Sequence, residues 1–336
     1  MPRLKGSLGT WDLKYLHYWK DRGALPGAIA VPIVNQNTRV ATIGSCFAEE
    51  IVRVLSDRGF EIAMHPSGLW YNTFSIAQEF EHMFQESPYE EEPLWHTNDG
   101  FWIHPFKDYH KKFSSREELL GWSNQIDLRA KKLFTEADVI VITLGLTEIW
   151  ESIRTGNIFT QLPPPDIFEQ GVARFRPSTF QENLANLERV YSLIRKNGSA
   201  KIIITVSPVP LYATFRNLDV RIANNISKST LRTAVAEIVE AHEDVYYFHS
   251  YEIVTAVDYP GMFMKEDKRH VREMGVELIM DEFLRTYGVP SLKVKPRDIS
   301  WLENAPIKSE NSNNQLFERA QRWFKRKLSK LLGRAL

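Results

Sequence analysis

Three runs of the chain are almost unbroken in aliphatic and β-branched residues: Arg39-Val40-Ala41-Thr42-Ile43, Asp138-Val139-Ile140-Val141-Ile142-Thr143-Leu144-Gly145 and Lys201-Ile202-Ile203-Ile204-Thr205-Val206. They lack the polar alternation of half-exposed hairpins, so they read as strands covered on both faces. Phe60-Glu61-Ile62-Ala63-Met64 and Val245-Tyr246-Tyr247-Phe248 read as two shorter strands. Between the strands the apolar spacing becomes helical. Phe47, Ile51, Val54 and Leu55 share one face of a helix over about 46–58, closed by Arg58-Gly59. Further helices are expected over 73–84, opened by Asn72 or Thr73, and from Ser114 or Ser115 to Phe134. Others follow over about 178–196, 227–242 and 271–287. Five strands alternating with helices imply a three-layer α/β domain, a five-stranded parallel sheet with helices on both faces.

The pattern lapses in four places. Residues 1–37 form an irregular arm, turned at Gly23, Pro26-Gly27 and Pro32. Residues 86–113 hold Trp95, His96, Trp102, His104, Tyr109 and His110 without a period and read as an ordered insertion or lid on a domain spanning 38–288. Residues 289–314, with Pro290, Pro296, Pro306 and a polar run at 309–314, read as a linker. Over 315–336, Phe317, Ala320, Phe324, Leu328 and Leu331 share one face of a helix opposite Arg319, Arg322, Lys325 and Arg326. Such a basic amphipathic helix suits an anionic membrane surface or a dock on its own domain.

Composition narrows the classes. With 336 residues, 43% of them hydrophobic, the chain can bury a sizeable core. Lysine plus arginine and aspartate plus glutamate stand at 42 each, so no overall charge draws it to nucleic acid. A single cysteine, Cys46, excludes a disulfide framework and a cysteine-rich zinc site. No pair among His65, His96, His104 and His110 has the i, i+4 spacing of helical ligands, and neither metal nor cofactor is expected. The first twenty residues, starting at Met1, lack an apolar signal core, and no stretch of 18 apolar residues occurs. A soluble cytoplasmic protein is expected, peripheral at the inner membrane if the basic helix binds lipid.

In such sheets the working crevice lies at the carboxyl ends of the strands. The residues there are Gly44-Ser45, 65–68, 145–148, Ser207-Pro208 and His249-Ser250. At Gly44-Ser45-Cys46 a strand turns into a helix, and Ser45 sits among amide N–H groups that stabilise negative charge. A helix-capping serine gives the same sequence, so a nucleophile also needs a base. Asp267 and His270, three apart just before the last helix, let a carboxylate hold Nδ1–H and leave Nε2 for a serine proton; a capping aspartate with a surface histidine has the same spacing. Cys46 competes as a nucleophile, yet adjacent residues point apart, and a packing role under the sheet edge is expected of it. Trp70, Trp95, Trp102 and Trp150 fit a stacking wall for a sugar ring or simply core. Ser227-Lys228 fits a substrate-anion contact or a helix cap with a solvated lysine.

Gly44-Ser45-Cys46-Phe47-Ala48 resembles the signature of the GSCFA-domain family, which is similar to the SGNH-type serine esterases and acyltransferases. The likeness continues through Tyr71-Asn72, Thr143-Leu144-Gly145-Leu146-Thr147-Glu148-Ile149-Trp150, Thr205-Val206-Ser207-Pro208-Val209-Pro210, Ser227-Lys228-Ser229-Thr230-Leu231-Arg232 and Phe248-His249-Ser250-Tyr251-Glu252, about residues 38–285 in all. The resemblance implies a flavodoxin-like sheet with Ser45 as nucleophile, His270 as base and Asp267 as its orienting acid. It also implies an oxyanion hole from backbone N–H groups at Ser45 and Gly68. The SGNH pattern places an asparagine two residues after the glycine ending the third strand; here Thr147 stands there, a shorter donor, with Asn72 as a candidate substitute. The implied substrate is an O-acyl, foremost O-acetyl, group on a carbohydrate, with Trp70, Trp102, His104 and Ser207 as candidate contacts. The alternatives are an O-acyltransferase using the same site and a noncatalytic glycan-binding module at the inner membrane surface.

Overall fold

The computed structural model describes residues 30–85, 92–108, 110–255, 263–290 and 292. The linker and basic helix expected beyond 292, like most of the N-terminal arm, lie outside the described residues. In chain order the elements are β1 (Val40–Gly44), α1 (Cys46–Asp57), β2 (Ile62–Met64), α2 (Thr73–Gln85), β3 (Trp95–His96), β4 (Trp102–Ile103), α3 (Arg116–Glu136), β5 (Val139–Leu144), β6 (Glu148–Ser152), β7 (Ile158–Phe159), α4 (Pro165–Phe168), β8 (Ala173–Pro177), α5 (Phe180–Asn197), β9 (Lys201–Val206), α6 (Val220–Ala241), β10 (Val245–Tyr247), α7 (Ser250–Thr255) and α8 (Glu273–Tyr287).

The five expected strands form one all-parallel sheet in the order β10-β9-β5-β1-β2, the flavodoxin-like arrangement. Its strands are buried because side chains of alternate residues enter two separate cores. Ile140, Ile142 and Leu144 of β5 join Phe80, Phe134, Leu187 and Leu231 on the face covered by α2, α3, α5 and α6. Val139 and Val141 join Phe47, Ile51, Ile279 and Phe283 on the face covered by α1, α7 and α8. Val34 belongs to this second core and its N–H donates to Tyr287 O at 2.8 Å, so the last residues of the expected arm are tied to the domain.

The helix ends follow local chemistry. Asn72 Oδ1 accepts from Ser75 N at the start of α2, Ser115 Oγ from Glu118 N at α3, and Thr179 with Glu182 closes a capping box at α5. One boundary differs from expectation: α6 begins at Val220, capped by Asp219, so Ser227 and Lys228 lie inside the helix and are buried. This overturns the helix cap with a solvated lysine.

The insertion is regular where the sequence shows no period. β3 and β4 pair as a short hairpin, and β7-β6-β8 form an unexpected antiparallel sheet. Trp95, Ile103, Phe106, Trp150, Phe159 and Ile167 close a third small core between them. Gln78 of α2 clips this subdomain to the main one, its amide exchanging hydrogen bonds with Ile158 N and O at 2.7 and 3.0 Å.

Candidate active site

Register places Gly44 beside Thr143, and Thr143 beside Thr205, on one rung at the carboxyl edge. Gly44 turns at φ 140°, and a Cβ there would stand 2.1 Å from Thr143 O, so only glycine fits. The turn delivers Ser45 as the cap of α1, at the β1–β5 boundary where the strand order reverses. Ser45 N donates to Thr143 Oγ1 at 2.7 Å and Thr143 O at 3.0 Å, and Ser45 Oγ shares a hydrogen bond with Thr143 Oγ1 at 3.0 Å.

Ser45 stands in the wall of a cavity of about 240 Å³, with Cys46, Tyr71, Gly145, Leu146, Ser207, the loop 209–213 and Arg269. The loop is held from below by Glu148, which accepts from Thr214 Oγ1 at 2.5 Å and Phe215 N at 3.3 Å. Gly145 packs closely here: a Cβ would stand 3.1 Å from Tyr71 O, so a larger residue would push that backbone by a few tenths of an ångström. Cys46 is half-buried and lines the cavity beside Ser45, which corrects the packing role under the sheet edge expected of it. Burial pushes its thiol up, against the smaller pull of Arg269 and Lys228, which is the reverse of an activated thiolate.

Asp267 and His270 form the expected pair. Asp267 Oδ2 meets His270 Nδ1 at 2.5 Å, while Asp267 Oδ1 accepts from the backbone N–H of Arg269 and of His270, both at 3.0 Å. Partial burial alone would raise the Asp267 carboxyl, but these bonds bring it down to about 2, so it is an anion at neutral pH. Both side chains are about half exposed, and His270 makes no hydrogen bond to Ser45, whose hydroxyl is held by Thr143.

The remaining expected residues are distributed unevenly. Gly68 turns at φ 94° and its N–H donates to His65 O at 3.1 Å. Thr147 is buried, its N–H and hydroxyl both on Ser227 Oγ at 2.7 and 2.8 Å. Asn72 is oriented by its cap to Ser75, and its Nδ2 carries no hydrogen bond among the described residues. Of the candidate substrate contacts Ser207 lines the cavity, whereas Trp70, Trp102 and His104 lie outside it. Trp70 is buried with Nε1 donating to His65 Nδ1 at 3.2 Å, Trp102 stacks on His96, and His104 sits in the interior with its pKa brought down to about 3 by burial and the nearby Lys107.

His65 belongs to a buried polar cluster under the insertion. Its Nδ1 accepts from Ser67 N and Trp70 Nε1, so Nε2–H donates to Glu79 Oε1 at 2.9 Å. Burial works to raise the Glu79 carboxyl, but Lys107 and the His65 bond outweigh it and hold it well below the usual range. Lys107, itself buried, pairs with Asp127.

Two cavity residues, Tyr71 and Arg269, were given no role by the sequence reading, and Lys228, read there as an anion contact or a solvated lysine, lies outside the cavity lining. Tyr71 accepts from the N–H of Gly145 and Leu146 at 2.8 and 3.1 Å and so joins two strand ends. Lys228 donates from beneath to Gly145 O and Ser207 O, both at 2.8 Å, and burial lowers its pKa to about 7. Arg269 lies inside the Asp-x-x-His stretch itself. Starting α6 at Asp219 puts Lys228 on the stripe of Ala223, Leu231, Val235 and Ile238, which was the available signal.

The fold and this site define a flavodoxin-like α/β protein that presents a serine at the carboxyl edge of its sheet. Residues 39–283 match the GSCFA family, and the chain belongs to it. Among solved structures it resembles a DUF4886 family protein from Bacteroides uniformis ATCC 8492, at 12% identity and a TM-score of 0.39 over 83% of this chain and 89% of that one. It also resembles a family 3 carbohydrate esterase from Clostridium thermocellum, at 11% identity and a TM-score of 0.31 over 74% of this chain and 94% of that one. No curated protein matches the chain. No helix among the described residues is long and apolar enough to cross a membrane.

Proposed function

We propose that the protein is a serine-dependent esterase that removes an O-acyl group, O-acetyl foremost, from a carbohydrate through an acyl-enzyme on Ser45. The observation that carries this reading is Ser45 itself, capping α1 in the wall of the cavity at the sheet's switch point. Ser45 Oγ attacks the acyl carbonyl as its proton passes to His270 Nε2, with Asp267 holding Nδ1–H. For this the serine hydroxyl exchanges Thr143 for His270; such bonds commonly tighten only when substrate is present. The oxyanion is held by Asn72 Nδ2, which carries no hydrogen bond among the described residues, while the Gly68 N–H and the Thr147 donors join it only by giving up His65 O and Ser227 Oγ. Collapse expels the sugar hydroxyl, which takes the proton from His270, and water then releases the acid from Ser45. If a second hydroxyl replaces that water, the same site performs acyl transfer. The helix expected over 315–336 would hold the protein at the anionic inner membrane face.

Hydrolysis of p-nitrophenyl acetate tests the reading. A burst that disappears in Ser45→Ala and His270→Ala and persists in Cys46→Ala supports it. The engagement of Gly68, Thr147 and Ser45 Oγ with other partners favours a second reading, a glycan-binding module without turnover. An inactive wild type that still binds a glycan would establish that one.

A further inference from the structure

Arg269 is the one basic side chain among the described residues that line the cavity, and no carboxylate lines it. Its guanidinium lies over the Tyr212 ring, 5.0 Å from the centroid, and makes no ion pair or hydrogen bond among the described residues. Its Nε is buried without a partner. A desolvated guanidinium donor left unpaired costs on the order of 1–3 kcal/mol or more, so a site that keeps one is completed by what it binds. The nearest carboxylate in sequence, Asp267, is already committed on both oxygens to the backbone of Arg269 and His270 and to the His270 ring. Behind the wall the amino end of α1 adds positive character, and Glu49, on the first turn of α1, stands outside the lining.

We propose that Arg269 forms an anion subsite in this cavity, so that the substrate carries a carboxylate or phosphate within one sugar ring's reach of the ester that Ser45 attacks. This deepens the esterase reading and rests on it for the word substrate, but anion binding itself does not depend on turnover. The guanidinium fork matches two oxygens of either group, and its face stays stacked on Tyr212. A neutral sugar ester would leave the fork unpaired, which gives the cavity a means of discriminating between acylated sugars.

The test is calorimetric titration of the full chain with D-glucuronate, inorganic phosphate and D-glucose, in the wild type and in Arg269→Gln and Arg269→Lys. The expected result is binding of glucuronate or phosphate at least tenfold tighter than glucose, weakened about 10- to 100-fold in Arg269→Gln. Arg269→Lys, which keeps the charge and loses the fork, is expected between the two. The two anion arms separate a carboxylate from a phosphate as the group recognised. Failure of both anions to outbind glucose, or equal binding by wild type and Arg269→Gln, overturns the proposal. Absence of an acetate burst alongside Arg269-dependent anion binding would instead overturn the esterase reading and leave the subsite standing.

Discussion

Lys228→Met replaces a fully buried ammonium by a side chain of nearly the same length. Two effects oppose each other. The carbonyls of Gly145 and Ser207 lose their donor, at a cost of roughly 1–3 kcal/mol each, while the penalty for burying a cation disappears. Their balance depends on pH in a direction the structure fixes. In the unfolded chain the amine titrates at its ordinary 10.5, and in the folded protein burial has lowered this to about 7. Between those values the unfolded state holds one proton more than the folded state, so the wild type gains stability as pH rises through that window. Cys46, whose thiolate would draw Lys228 back to the charged form, is itself pushed up by burial, which favours the neutral thiol. Each pH unit is worth about tenfold in the unfolding constant, so from pH 7.5 to 9.5 the wild type should gain on the order of 3 kcal/mol over the variant. Urea unfolding followed by tryptophan fluorescence at pH 7.5, 8.5 and 9.5 measures the gap. Parallel profiles for the two proteins would refute the placement of Lys228 as a neutral, desolvated amine beneath the cavity.

Other perturbations reach the remaining polar groups. Lys107→Met takes the buried cation away from Glu79 and Asp127, which keep their bonds to His65 and His82, and should cost on the order of 3 kcal/mol in thermal or urea unfolding, with part of that recovered in the Lys107→Met/Glu79→Gln double variant. Cys46, with its thiol raised, should react with iodoacetamide at pH 7.5 more slowly than a free cysteine and speed up as pH rises. Asp267→Asn leaves the turn in place but no longer fixes the His270 tautomer, and ester hydrolysis should fall on the order of 1,000- to 10,000-fold in kcat. Because Asp267 stays ionised down to about pH 2, it should contribute no acid limb to the pH profile of hydrolysis above pH 4.

The central sheet was readable because β1, β5 and β9 are buried on both faces, and nothing but a covered strand explains runs such as Val139 to Leu144. The turn carrying Ser45 was readable for a related reason: glycine at a strand end followed by a helical period has few other meanings. The antiparallel sheet was not, because β6 and β8 mix charged and apolar residues over five positions each, and β7 is only two residues long. β8 pairs with β6 across more than twenty residues, from Ser152 beside Ala173 to Glu148 beside Pro177, and no local signal reports that pairing. Lys228 could be read as a solvated cap lysine only through a single misplaced boundary, the start of α6. Trp70 and His65 show the opposite limit. Trp70 fitted a stacking wall or core alike and His65 had no partner assigned, yet they satisfy each other and Glu79 in the interior, a three-body arrangement that only the fold brings together.

The account turns on whether Ser45 is acylated and whether His270 drives the step. Quenching the protein with p-nitrophenyl acetate at early times and mapping the acetyl group by peptide mass spectrometry answers both. We expect one acetyl group, on the peptide containing Ser45 and at that residue, formed in the wild type and in Cys46→Ala and absent from His270→Ala. An acetyl group on Cys46, or equal labelling of Ser45 with and without His270, would contradict the mechanism.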